Sequence, residues 1–250
     1  FLSLNRRFAI FADMLKQTLI KATEAGAAQL QHFFNGQFTI SNKEGINNLV
    51  TEADLAAEAA VLAVLHQRSP LIGVLAEEAG LQGPLGELQW CVDPLDGTTN
   101  YAHGFPLFAC SVGLLKNGKP ILGAIEAPAL QQSYWGGHGL GAYCNGELLQ
   151  VSGCNDLSES LLVTGFAYDR FEVQNNNYTE FCYFSHRSHG VRRGGAASLD
   201  FIRSKTTMLT LQTHDDHLLK MGNVCHAHLR FRLSLTMGAS CGKCHYFFMH

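Results

Sequence analysis

The run Trp90-Cys91-Val92-Asp93-Pro94-Leu95-Asp96-Gly97-Thr98-Thr99-Asn100-Tyr101 places two carboxylates three residues apart at the end of an apolar stretch. On a turn, Asp93 and Asp96 can reach one small volume. Pro94 fixes its own backbone angle, Gly97 lets main chain approach a ligand closely, and Leu95 can offer its carbonyl as a further oxygen ligand. Such a set suits a hard cation, because Mg2+ takes one or two carboxylates and fills its shell with waters and phosphate oxygens. Glu77, at the end of another apolar run, is the obvious third acid. The N–H groups of Gly97, Thr98 and Thr99 would open a helix whose N-terminus favours a phosphate. Asp, Pro and Gly also make ordinary turns, but the length of the string, continued by His103-Gly104 and Pro106, argues for a site.

The flanking segments read as the elements that carry these groups. Leu15, Leu19, Ala22, Gly26, Leu30 and Phe33 recur at helical spacing between Met14 and Phe34, with Lys16, Lys21 and Glu24 among them. Thr51 and Asp54 have the spacing of a capping box, which predicts a second helix as far as about Arg68, before Pro70. Short apolar runs at 71–75 and 88–92 suit buried strands. Runs at 108–115, 120–126, 132–135, 141–144 and 147–151 suit a meander, with Asn117-Gly118 and Asn145-Gly146 as hairpin turns. Gly137-x-Gly139-x-Gly141 is a glycine-rich hairpin. A strand at 161–165, a helix around 177–188 and a Gly-rich turn at 192–197 entering another helix complete the pattern.

Four matches, in order and at compatible spacing, make the chain resemble the inositol monophosphatase family from Met14 to Phe201. They are Lys43 with Leu49-Val50-Thr51-Glu52-Ala53-Asp54, then Glu77-Glu78, the long run from Trp90 to Pro106, and Gly190-Val191-Arg192-Arg193-Gly194-Gly195-Ala196-Ala197. The resemblance implies a layered αβαβα sandwich of the inositol monophosphatase or sugar phosphatase type, an α/β fold. It implies a Mg2+ cofactor and attack on phosphorus by a metal-activated water, without a phosphoenzyme. Glu77, Asp93, the Leu95 carbonyl and Asp96 would hold metal. Asp54, Thr98 and Glu77 would be catalytic, Asp54 accepting a hydrogen bond from the Thr98 hydroxyl. Asp96, Gly97, Thr98 and Gly195 to Ala197 would bind substrate, with Lys43 and Glu78 in support. Each outlying segment has a plainer reading: Asp54 as part of a helix cap, Glu77-Glu78 as a solvated loop, and Gly195 to Ala197 as a small-residue helix entry.

The expected substrate is inositol 1-phosphate or a related small polyol or sugar phosphate. Histidinol phosphate is the rival, and a catalytically impaired metal-binding or interaction remnant is the alternative of another class. Family members carry a later Trp-Asp-x-Ala-Ala-Gly motif whose Asp binds a second metal, and this chain has none. The expected division is therefore a phosphatase domain at residues 14–201 and a divergent Cys/His-rich tail at 202–250. The C-terminal portion of the fold would be incomplete, the second metal weakly held and activity reduced.

That tail holds six of the 12 histidines (His214, His217, His226, His228, His245 and His250) with Cys225, Cys241 and Cys244. Cys241-Gly242-Lys243-Cys244-His245 has the spacing of a haem attachment motif, and a Cys/His zinc site is conceivable, but an unselected or disordered end is preferred. Composition excludes other classes. A net charge of −3 with 16% charged residues gives no basic footprint for nucleic acid. No signal peptide is visible, and no run approaches the ~18 to 20 apolar residues of a membrane span. Eight cysteines are present, and five of them (Cys91, Cys110, Cys144, Cys154 and Cys182) stand singly without framework spacing, which suits reduced thiols. A cytoplasmic protein follows, and the resemblance adds a homodimer.

Overall fold

A computed structural model describes residues 2–34, 40–42, 49–150, 152, 154, 156–166, 171–172, 176–202, 208–211, 233–235 and 247–249. Lys43 and the Cys241 to His245 motif lie outside the described residues. Helix α1 (Leu2–Phe34) extends further toward the N-terminus than the predicted start at Met14. A small antiparallel pair, β1 (Ile40–Asn42) and β2 (Leu49–Thr51), leads into α2 (Glu52–Arg68), where the capping-box spacing predicts a helix start. After Pro70 come β3 (Gly73–Ala76), β4 (Gly80–Gln82) and β5 (Leu88–Asp96). The short helix α3 (Thr98–Ala102) follows directly.

The meander predicted from alternation is present as β6 (Ala109–Lys116), β7 (Lys119–Ala127), β8 (Gln132–Gly137), β9 (Gly141–Cys144) and β10 (Glu147–Leu148). Both Asn-Gly turns have positive φ at each residue, 50° and 72° at Asn117 and Gly118, 48° and 83° at Asn145 and Gly146. That is the type I′ geometry matching strand twist. These strands form one sheet in the order β10-β9-β8-β7-β6-β5-β3-β4, antiparallel except where β3 runs parallel to β5.

Period-two alternation divides this sheet between two cores. Cys110, Val112 and Leu114 of β6 and Leu122 and Ala124 of β7 face α1 and α2, sharing a cluster with Leu19, Leu30, Val61 and Leu65. Ala109, Ile125 and Ala127, of opposite parity, face α5 (Ala197–Ile202) through Ala196, Leu199 and Ile202. A second, parallel sheet contains β11 (Leu161–Thr164) between β12 (Gly190–Arg192) and β13 (Met208–Leu211). Helix α4 (Tyr178–Ser185) packs against β12. Further along, β14 (Leu233–Leu235) pairs with β15 (Phe247–Met249). The result is the layered α/β arrangement of helices and sheets. Among the described residues, no helix is long and apolar enough to cross a membrane.

One expectation about local structure is corrected. The composition of Asp93 to Asp96 predicts a turn, whereas β5 continues through them. Asp93 pairs with Ser111 and Asp96 with Ala109, so three steps on β5 oppose two on β6. Pro94 lacks an N–H and cannot join the ladder, so the strand bulges there and then resumes.

Candidate active site

The parallel register of β3 on β5 sets Ala76 beside Val92, and the Glu77 N–H donates to the Val92 carbonyl at 3.2 Å. Glu77 and Asp93, 16 residues apart in sequence, therefore emerge side by side at one end of the sheet. Asp93 is half-buried, its carboxyl hydrogen-bonds with Glu77, and its Oδ1 is shielded from solvent with no hydrogen-bond partner. Burial above all, then the charges of Glu77 and Asp96, the bond to Glu77 and the charge of Asp54, push Asp93 well above the usual carboxylate range. Asp54, in the first turn of α2 and 2% exposed, thus acts on Asp93 across the site and also helps burial raise the Tyr101 phenol.

Asp96 has a different set of partners. Its Oδ1 accepts from the Ala197 N–H at 3.0 Å, while Oδ2 accepts from the Ser198 N–H at 2.7 Å and from the Ser198 hydroxyl. Burial raises Asp96, and these bonds from Ser198 and Ala197 pull the other way. Its carboxylate holds the first turn of α5 against the large sheet. As placed, no three His, Cys, Asp or Glu side chains among the described residues converge to hold a metal ion. What stands ready is the Glu77–Asp93 pair with one orphaned, buried oxygen. Mg2+ needs no more than one or two carboxylates from protein, so these residues fit it. The Thr98 hydroxyl, expected to donate to Asp54, donates instead to the Leu95 carbonyl at 3.0 Å, because that carbonyl lies three residues back across the same turn; the carbonyl keeps a second lone pair for a cation.

Gly97 opens α3 in the left-handed region, at φ 92°, where a Cβ would meet the Leu107 carbonyl at 2.8 Å and the Ala196 Cβ at 3.1 Å. Only glycine lets the two segments approach so closely. Asn100, one turn on, donates through Nδ2 to the Leu107 carbonyl at 2.6 Å and to the Gly194 carbonyl at 2.9 Å. Its amide sits so near Gly195, whose φ is 84°, that a Cβ there would come within 2.9 Å of Oδ1. Gly195, Ala196 and Ala197 are thereby set as a wall beside Gly97 and Thr98. From the other side, the Tyr101 hydroxyl donates to the buried Leu30 carbonyl at 2.7 Å, and its ring packs edge-on to Phe108 at 4.7 Å. Helix α3 is fixed by both α1 and the Gly194 segment.

The structure thus gathers Asp54, Glu77, Asp93, Leu95, Asp96, Gly97, Thr98 and Gly195 to Ala197 around one end of β5. Glu78 is adjacent, its N–H donating to Glu58 Oε2 at 2.8 Å. Sequence reasoning misses Glu58, Ser198 and the bridging role of Asn100. For Glu58 a signal exists: it follows Asp54 by four residues and so shares its helix face. For Ser198 there is none, because its partner lies 102 residues away.

The model of the inositol monophosphatase family matches residues 12–203. The chain is 43% identical over 198 residues to an inositol-1-monophosphatase from Synechocystis, covering 77% of this chain and 69% of that protein. It is 34% identical over 189 residues to a fructose-1,6-bisphosphatase/inositol-1-monophosphatase from Aquifex aeolicus, covering 74% and 70%. The solved inositol monophosphatase from Anabaena (Nostoc) superposes with a TM-score of 0.68 at 42% identity, covering 79% of this chain and 71% of that one. Acids paired at the end of a parallel strand pair, a bulged strand opening into α3 and matched relatives agree: this chain belongs to the inositol monophosphatase family, whose members are phosphoric monoester hydrolases.

Proposed function

We propose that the chain is a Mg2+-dependent phosphomonoesterase acting on inositol 1-phosphate or a related small polyol or sugar phosphate. The observation that carries this reading is the shielded, unpartnered Oδ1 of Asp93 beside Glu77, an arrangement of like charges that only a cation or a shared proton relieves. Glu77, Asp93 and the Leu95 carbonyl would hold the metal, with Asp96 as a further ligand through the Oδ1 lone pair that Ala197 leaves free. When bound, Mg2+ supplies Lewis-acid neutralisation of phosphate oxygens and lowers the pKa of the attacking water.

The remaining steps belong to the chain's own groups. The phosphate rests against the N–H groups of Gly97, Thr98 and Thr99. Thr98 spends its proton on the Leu95 carbonyl, so its oxygen lone pairs are left to accept from one hydrogen of the attacking water, while the nearby buried carboxylate of Asp54 receives the proton that the water loses as it attacks phosphorus. The wall from Gly195 to Ala197 and the edge of Asp96 orient the polyol hydroxyls. The Aquifex relative's name couples inositol monophosphate with a sugar bisphosphate, which supports a small polyol or sugar class. A homodimer and a cytoplasmic location are part of the same proposal, supported by the family resemblance alone.

The test is phosphate release from inositol 1-phosphate and from histidinol phosphate, with and without Mg2+, beside Asp93→Asn. Release from inositol 1-phosphate that requires Mg2+ and vanishes in the variant is expected. Preference for histidinol phosphate would overturn the substrate assignment, and equal background in both proteins would leave an impaired relative.

A further inference from the structure

We propose that Glu58 is a positioning residue for the metal centre, acting through the backbone of the turn that presents Glu77. This rests on the reading of Glu77 and Asp93 as metal ligands. Glu58 lies on α2 one helical turn beyond Asp54 and is 4% exposed. A buried carboxylate needs donors for both oxygens. Glu58 finds them in consecutive amides: the Glu78 N–H donates to Oε2 at 2.8 Å and the Ala79 N–H to Oε1 at 2.9 Å. Hydrogen bonds to an ionised acceptor are about twice as strong as neutral ones, and the bidentate form fixes orientation as well.

The clamped turn joins β3 to β4, at the edge of the large sheet. Its first residue, Glu77, has an exposed side chain but a backbone N–H bound to Val92 of β5. Glu77 is therefore held from β5 on one side and, through the next two amides, from α2 on the other. Beyond the turn the chain runs directly into the three-residue β4. One face of α2 then has two duties: Asp54 reaches into the site and Glu58 sets the Glu77 carboxylate beside Asp93. Glutamine at 58 would keep the shape but offer one acceptor to two amides and set its own NH2 against the other.

Binding of Mn2+ to the metal-free protein, followed by electron paramagnetic resonance, tests this without turnover. Glu58→Gln is expected to bind Mn2+ about 10- to 100-fold more weakly than wild type, the range for outer groups that orient metal ligands. The Mg2+ concentration for half-maximal phosphate release should rise in parallel, while KM for inositol 1-phosphate stays unchanged and excess Mg2+ restores kcat. A role in folding alone would not produce that split. Wild-type Mn2+ affinity in Glu58→Gln overturns the proposal. Unchanged affinity in Asp93→Asn would instead sink the metal-site reading itself. Should Glu58→Gln fail to fold, amide exchange in the metal-free wild type decides: protected Glu78 and Ala79 amides support the clamp, and exchange at free-peptide rates overturns it.

Discussion

Replacing Asp93 with Asn should make the metal-free protein more stable while removing its activity. Asp93 is pushed well above its ordinary 3.8, chiefly by burial and by the charge of Glu77, so the folded chain keeps a proton that the unfolded chain releases. Because the native state binds more protons than the unfolded state, stability is greatest at low pH. It falls as pH rises past about 4, and levels off only above the folded value. Within that window the loss approaches about 1.4 kcal/mol per pH unit for one proton. A chain of this size shifts its Tm by roughly 2 to 4 °C per kcal/mol, so the wild type should lose roughly 3 to 6 °C per pH unit from this group. Asn cannot ionise, and it relieves Glu77 of its closest like charge. Glu126, also raised by burial, titrates in both proteins and cancels in the difference, whereas Asp96, whose charge acts on Asp93, is eased by the same substitution and adds to the gap. The assay is thermal unfolding in a chelator at pH 5, 6 and 7, followed by circular dichroism. The Asp93→Asn variant should melt higher than wild type at pH 7, with the gap closing toward pH 5, and added Mg2+ should raise the wild type alone. Parallel melting curves across the pH range would refute the account of Asp93 as a strained carboxylate.

Two other substitutions probe the supports of the site. Gly195→Ala places a Cβ 2.9 Å from Asn100 Oδ1 at a φ of 84° and should cost about 1 to 3 kcal/mol. Steady-state kinetics should show KM for inositol 1-phosphate rising more than kcat falls, and an unchanged KM would count against the wall. Tyr101→Phe leaves the buried Leu30 carbonyl without its 2.7 Å donor and should cost about 1 to 3 kcal/mol in urea unfolding. A loss below about 0.5 kcal/mol would show that the bond does not hold α3 to α1.

The parts of the fold written locally were the parts legible in the sequence. The meander was readable because alternation and Asn-Gly chemistry act over a few residues, as were α2 from its capping spacing and its stop before Pro70. β4 and β12 escaped because Gly80-Leu81-Gln82 and Gly190-Val191-Arg192 are three residues long and carry no apolar alternation; the sheet edge, not their composition, makes them strands. Asp93 to Asp96 looked like a turn because Pro and Gly usually punctuate one, and only pairing with β6 turns the segment into a bulged strand. In the site, residue types pointed to Asp93, Asp96 and Glu77 directly. The partners of Asp96 could not be read, since nothing near it in sequence announces Ala197 and Ser198 as its donors. Asn100 stood inside the long motif, yet its reach to Gly194 is a property of the tertiary structure.

The same long reach bears on how the protein assembles itself. Asp96 and Asn100 meet Ser198 and Gly194 across 102 and 94 residues, whereas Glu77 and Asp93 are brought together by neighbouring strands. Closing a loop of about 100 residues costs more entropy than closing one of about 16, and contacts of high separation form late. During synthesis the acidic pair can therefore exist before α5 has left the ribosome. On the proposed function, a nascent chain would assemble its cation ligands first, and would close its substrate wall only when Ser198 arrives.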